Sequence, residues 1–205
     1  MLKKVNKSFN GKKVIDQYDL KIEAGEFVSI VGASGSGKTT LLNLIGMLIK
    51  ADSGDVVINN IVNPKGKDVL RLRRESIGYI FQNFVLMENE TVKNNLMISK
   101  KYNPDFNEDL VNHALRTVGL DKTYLEKKIY LLSGGEQQRI AIARVMLKKY
   151  DIILADEATG NLDKSNKLIV IELLKNLSDL GKTIVCVTHD ELVAKESDRI
   201  IRLEK

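Results

Sequence analysis

Residues 32–40 read GASGSGKTT; the apolar run FVSIV (27–31) comes directly before them and a helix-periodic stretch directly after. The GxxxxGK[ST] pattern in a strand-to-helix setting is a phosphate cradle. Gly32, Gly35 and Gly37 let the backbone curl so that successive N–H groups face one anion, with Ala33, Ser34 and Ser36 between them. The start of the following helix, at Lys38, Thr39 and Thr40, adds its dipole. Lys38 is expected to set its ammonium against the terminal phosphates of a nucleotide, and Thr39 to offer its hydroxyl to Mg²⁺. A merely flexible Gly/Ser loop would not require Lys-Thr at its end.

Outward from the loop, two further continuous apolar runs, IILA (152–155) and TIVCV (183–187), read with 27–31 as buried parallel strands. Helical periodicity over 40–49, 137–148 and 168–180 alternates with them, which predicts a doubly wound α/β core. Shorter alternating pieces at 13–22 and 55–59 predict an antiparallel β edge, and residues 83–128 turn helical and polar. The expected architecture is one domain over 1–205, a core of about 1–82 and 129–205 with an α-helical lobe of about 83–128 inserted in it.

The chain of 205 residues is 43% apolar and 29% charged, the make-up of a folded globular protein rather than a disordered or fibrous one. Its net charge of +5 is scattered, with the tightest group at Arg71, Arg73 and Arg74, read as a solvated face or a contact for an anionic lipid or partner. The single cysteine, Cys186, excludes a disulfide framework and reads as a small buried hydrophobe. No apolar run reaches the ~20 residues that span a bilayer, and the opening MLKKVNKSFN has no signal-peptide stretch, so a cytoplasmic location is expected.

The run 152–155 ends in Asp156, at the strand end where open α/β sheets bind ligands, so Asp156 is the expected second holder of Mg²⁺; a helix-capping aspartate is the plainer reading. Glu157 follows and can turn toward the γ-phosphate as a general base for water. LLSGGEQQR (131–139) has the capping-box spacing between Ser133 and Glu136. Two glycines, Gly134 and Gly135, at the entrance of a helix cost about 1 kcal/mol each relative to alanine. Their use is to expose the backbone N–H groups of a second anion-binding helix start, one more than a single nucleotide needs.

These residues resemble the nucleotide-binding domains of ABC transporters over essentially the whole chain: the loop GASGSGKT, the signature LSGGEQQR, the strand IILADE and His189 occur in that family's order. The resemblance implies a P-loop NTPase core of the ABC ATPase type that binds ATP with Mg²⁺. It also implies a head-to-tail dimer in which Ser133, Gly134, Gly135, Glu136 and Asp163 of one subunit meet the nucleotide held by the other. Phe9 matches the aromatic that stacks on adenine, Gln82 the glutamine that reaches Mg²⁺ and senses the γ-phosphate, and His189 the switch histidine. His113 matches nothing and is expected on a helix surface.

The segments TGNLD and SIGYIFQNFVLMENETVKNNL are most similar to the branch of macrolide exporters, lipoprotein-release ATPases and antimicrobial-peptide transporters. That branch implies a separate integral-membrane permease and a subunit peripheral on the inner face of the membrane. The cargo expected is a peptide, bacteriocin, drug or lipoprotein. The sequence departs from the family at Ala158, where proline is usual, and in MENETV (87–92), near the expected permease surface; Phe84, Leu86 and Met87 are the expected docking residues. A soluble ABC ATPase acting on nucleic acid or ribosomes is the alternative, disfavoured because neither a second cassette nor a long coiled coil is present, so no nucleic-acid partner is expected. A nucleotide-kinase phosphotransferase would have no use for Glu157 beside a signature motif.

Overall fold

The three apolar runs form the middle of one sheet. In a computed structural model, which describes residues 1–204, β3 (Phe27–Val31), β7 (Ile152–Asp156) and β8 (Thr183–Val187) pair in parallel, flanked by β6 (Ile77–Ile80) and β9 (Arg199–Arg202) in the order β6-β7-β8-β3-β9. These strands are apolar on both faces because both faces are covered. Phe27, Ile153, Ala155, Ile184 and Cys186 enter one buried cluster, and Val28, Ile30, Leu154, Val185 and Val187 the other. Cys186 is therefore the buried hydrophobe its setting predicts.

The second cluster is closed by α1 (Lys38–Ile45) and by an antiparallel sheet of β1 (Leu2–Phe9), β2 (Lys12–Leu20), β4 (Ser53–Ile58) and β5 (Ile61–Val62), ordered β2-β1-β4-β5. β1 does not alternate cleanly in sequence because its pairing with β2 shifts register, with Lys4 and Gln17 at positive φ. The shifts bring Leu2 and Val5 inward at a spacing of three rather than two. Helix α1 stops at Ile45, short of the expected 49. Met47 takes the left-handed conformation at φ 56°, and its N–H and that of Leu48 return to Leu44 O and Asn43 O. This is a Schellman ending built on methionine instead of glycine. Helix α2 (Lys67–Glu75), absent from the sequence reading, carries the arginine triplet. Arg71 and Arg74 are exposed as expected, but Arg73 is half-buried and donates from Nη2 to Met47 O at 2.6 Å.

On the other face of the parallel sheet, α3 (Val92–Met97) and α4 (Glu108–Thr117) pack on α5 (Gly134–Met146), beside α6 (Lys164–Asp179). Val92, Leu96, Val111 and Leu115 share a single cluster with Ile140 and Ile142 of α5 and Ile153 of β7. The helices of 92–117 thus have no core separate from that of the sheet, and α5 is the hinge of the packing. Either Leu96→Ala or Ile153→Ala should lower stability by about 2–5 kcal/mol. Urea unfolding should show each loss in the same single transition; an early melt confined to the helices in Leu96→Ala alone would contradict a shared core.

Candidate active site

Because β3, β6, β7 and β8 run parallel, the segments that leave their C-terminal ends gather on one edge of the sheet. From β3 comes the 32–40 loop, from β6 Gln82, from β7 Asp156 and Glu157, and from β8 His189. Gly37, the N-cap of α1, has φ 99°, and a Cβ there would come within 3.0 Å of Val14 Cγ1 on β2, so only glycine fits. No side chain caps this helix start, and Ala33, Ser34 and Gly35 are exposed at the loop tip. Lys38 folds its ammonium over the loop, donating to Gly32 O at 2.8 Å and Ala33 O at 3.0 Å. Ser36 is buried in the loop, and Thr40 is half-buried in the first turn of α1. An uncapped helix start with a cation beside it has the electrostatics of a phosphate site.

Thr39 Oγ1 donates to Asp156 Oδ1 at 3.2 Å, which joins α1 to the end of β7. Burial, followed by the negative charge of Glu157, raises the Asp156 carboxyl above its usual range, against the hydrogen bond from Thr39. One hydroxyl and one carboxylate suit Mg²⁺, a hard cation that retains waters and is otherwise held by phosphate oxygens. No group of three or more His, Cys, Asp or Glu side chains placed to hold a metal occurs among the described residues.

Glu157 sits in the left-handed region at φ 49°, held there because its N–H donates to Val187 O and its carbonyl accepts from Gly160 N, both at 2.9 Å. Such a conformation costs a non-glycine residue on the order of 1–3 kcal/mol and marks a side chain whose direction matters. That side chain is 14% exposed, and its Oε1 lies 2.9 Å from Nδ1 of the exposed His189. Gln82 is exposed, and a Cβ on Gly160 would lie 3.2 Å from its Nε2, so the glutamine lies against the turn that follows Glu157. Phe9 is 44% exposed at the end of β1, with Lys7 Nζ 5.3 Å from its ring centroid; it is a surface aromatic, not a core one. His113 is exposed on α4.

The signature residues lie at the start of α5. Ser133 and Glu136 form the full capping box, and Glu136 Oε1 also accepts from Tyr124 OH at 2.7 Å, a partner that sequence reasoning missed. Burial pushes the Glu136 carboxyl up, but the bonds from Tyr124 and Ser133 outweigh it and leave it below its usual range. The two glycines do different work. Gly134 is exposed and open; Gly135 is buried, and a Cβ on it would fall 2.1 Å from Asn166 Cγ. Asn166 in turn accepts from Arg139 Nη1 at 2.7 Å and donates from Nδ2 to Asp163, the exposed N-cap of α6. Ser165 and Asn166 together hold the Asp163 carboxyl well below the usual carboxylate range.

The model for "ABC transporter" matches residues 15–160. The chain belongs to the ABC transporter family. It is one of that family's ATPase cassettes, with the α/β fold of solved members. It is 40% identical over 98% of its length to the ABC transporter ATP-binding protein YvrO of Bacillus subtilis, of which it covers 91%. It is 38% identical to the macrolide export ATP-binding/permease protein MacB of Campylobacter jejuni over 99% of its own length, and spans about a third of that relative, 32%. The ATP-binding cassette MJ0796, in a dimeric post-hydrolysis state bound to ADP and Pi, superposes with a TM-score of 0.88 at 38% identity, covering 99% of this chain and 93% of that one.

Within this ABC cassette one side chain joins the signature helix to the segment after Gln82. Arg144, on the last turn of α5 and largely buried, donates from Nη1 to Val85 O at 2.7 Å and from Nη2 to Phe84 O at 3.2 Å. Phe84 and Val85 are both left-handed, at φ 59° and 50°, so Arg144 fastens a strained pair. Ser99 Oγ donates to the Arg144 carbonyl at 2.9 Å, which ties the helical segment to the same point. Arg144→Met should therefore release residues 83–87: their amide exchange should quicken while that of β7 and β8 stays slow. Unchanged exchange in 83–87 would mean that the backbone holds its own shape there.

Proposed function

We propose that this chain binds ATP with Mg²⁺ and hydrolyses it as one half of a head-to-tail dimer, beneath a membrane permease that exports a peptide, bacteriocin, drug or lipoprotein. The observation that carries the dimer is the second exposed helix start. Ser133 and Gly134 face solvent at the head of α5, and the Ser133 hydroxyl bonds only with Glu136, donating to its carboxylate and accepting from its N–H. The main packing partners of α5 are α3, α4, α6 and β6, not the loop-bearing α1. Among the described residues no hydrogen bond joins 32–40 to 133–136, and this exposed helix start is suited to the nucleotide of a second copy. The dimeric MJ0796 cassette with ADP and Pi supports this arrangement.

In the reading we favour, the 32–40 backbone and Lys38 hold the phosphates, and Phe9 stacks on the base. Thr39, Asp156 and Gln82 would hold Mg²⁺, which would supply charge neutralisation to the transferred phosphoryl group. Glu157, aimed by its left-handed backbone and by His189, accepts a proton from the water whose oxygen attacks the γ-phosphorus as the bond to the β-phosphate oxygen breaks. Ser133, Gly134 and Glu136 of the second copy, with its Asp163, close the site. Gly135 belongs to this set through packing on Asn166, so its substitution tests folding rather than the dimer.

Glu157→Gln should bind ATP normally, hydrolyse it hundreds of times more slowly and accumulate as an ATP-bound dimer on size exclusion; turnover near the wild-type rate would remove Glu157 from the chemistry. Ser133→Arg and Lys38→Ala should each be nearly inactive alone. Mixed together they form heterodimers with one intact site, so partial recovery of hydrolysis is expected, and none would place the signature in cis.

For the permease, Leu86 packs on the core and Phe84 is half-buried, which leaves Met87 the exposed member of the expected docking trio. A cleft of about 260 Å³ lies between the sheet edge and the helical segment, lined by Leu48, Phe81, Arg73, Ile98 and Tyr102. Phe81 precedes Gln82 directly, so we place the permease contact in this groove. Ile98→Glu should abolish co-purification with a co-expressed permease and leave the hydrolysis of the isolated subunit intact; retained assembly would move the contact elsewhere.

A further inference from the structure

Four basic residues that the nucleotide site does not use come together in space. Arg74, at the end of α2, lies with its guanidinium 5.6 Å from the Tyr102 ring centroid. Around them opens a cleft of about 650 Å³ lined also by Lys100, Lys101 and Lys149, with Glu75 the one carboxylate in its lining. All four cations are exposed. Lys149 has Asp105 at 3.8 Å, a solvent-exposed pair that leaves its charge largely available. Three separate stretches of the chain thus bring four positive charges to one open, mainly polar hollow. Residues 100, 101 and 149 are distant in sequence from 74, so sequence showed only the arginine part of the patch.

Tyr102 lines both this cleft and the Leu48–Phe81–Ile98 groove, so the two surfaces share an edge. We infer that Arg74, Lys100, Lys101 and Lys149 form a seat for anionic phospholipid headgroups of the membrane's inner face. The orientation rests on the permease-docking reading above: a subunit held to a membrane protein by the groove presents the adjoining cleft toward the bilayer. The chemistry rests on the patch itself. Exposed lysines on long side chains around an arginine, the one ion pair among them solvent-exposed, suit several mobile phosphates better than one shaped peptide, and Tyr102 supplies an amphipathic ring at headgroup level. Each basic side chain near an anionic surface strengthens binding about fivefold at low salt, and the gain fades over a Debye length.

The test uses the whole chain and vesicle co-sedimentation. Wild type should bind phosphatidylcholine vesicles containing phosphatidylglycerol, bind pure phosphatidylcholine vesicles weakly, and lose the difference as salt rises. A quadruple variant, Arg74→Gln with Lys100→Gln, Lys101→Gln and Lys149→Gln, should bind the anionic vesicles at least about tenfold more weakly. A control with Lys3, Lys21, Lys122 and Lys175 changed to Gln removes four charges from other exposed sites of a chain of net charge +5 and should bind as wild type does. Both variants should keep the wild-type melting transition, and single substitutions replace the quadruple one if it does not. Equal loss in both variants would reduce the effect to net charge and overturn the seat. So would wild-type binding by the first variant, or its failure to assemble with permease in neutral-lipid nanodiscs, which would assign the patch to an acidic permease segment. Ile98→Glu separates the two ideas: vesicle binding should survive it even though permease assembly is lost.

Discussion

Parallel pairing of β3, β7 and β8 is the constraint on which the rest depends. It turns three separate loops toward one edge, and the Thr39–Asp156 hydrogen bond closes the distance between the first two. Without that pairing, the 32–40 loop would be an anion-binding helix start with no carboxylate beside it. With it, Asp156 sits where a cation bridging to phosphate would be held, and Glu157 and His189 lie one and two residues past their strands. Burial of the sheet on both faces makes this edge stiff, since alternate residues of each strand are fixed in two different clusters.

Strain is placed at two points on that edge. Glu157 is held left-handed by bonds to the end of β8 and to Gly160, and Phe84 and Val85 are held left-handed by Arg144. The second point lies two residues past Gln82, on the path from the sheet edge to the helical segment. Arg144 and Gln138 both belong to α5, and Gln138 Nε2 donates to Ala158 O at 2.8 Å just after Glu157. The helix whose start bears the signature is therefore bonded to both strained segments. Ala158, where proline is usual, leaves this bond intact because the bond uses only its carbonyl.

Much of this was legible in sequence because the decisive elements have strong local signals. Continuous apolar runs gave the three central strands, and the glycine loop between a strand and a helix gave the phosphate site. The weak points have local causes. β1 was hidden by register shifts that break its alternation, β9 by its four residues of exposed edge, and the end of α1 by a methionine doing what glycine usually does. The roles of Tyr124, Asn166 and Arg144 had no signal, because the fold alone brings them to Glu136, to Gly135 and Arg139, and to Phe84 and Val85. The difference between Gly134 and Gly135 was equally invisible: only packing on α6 distinguishes an open glycine from one that a neighbour requires. The expected docking cluster FVLM was apolar in sequence, yet half of it turned inward, and the groove proposed in its place is built from residues scattered between 46 and 148.

If a working site needs two copies of the chain, specific ATPase activity must depend on chain concentration at saturating MgATP, with sedimentation mass followed in parallel. The account predicts that activity per chain climbs with concentration and tracks the dimer fraction. Constant activity per chain over a range in which the protein sediments as a monomer would contradict it.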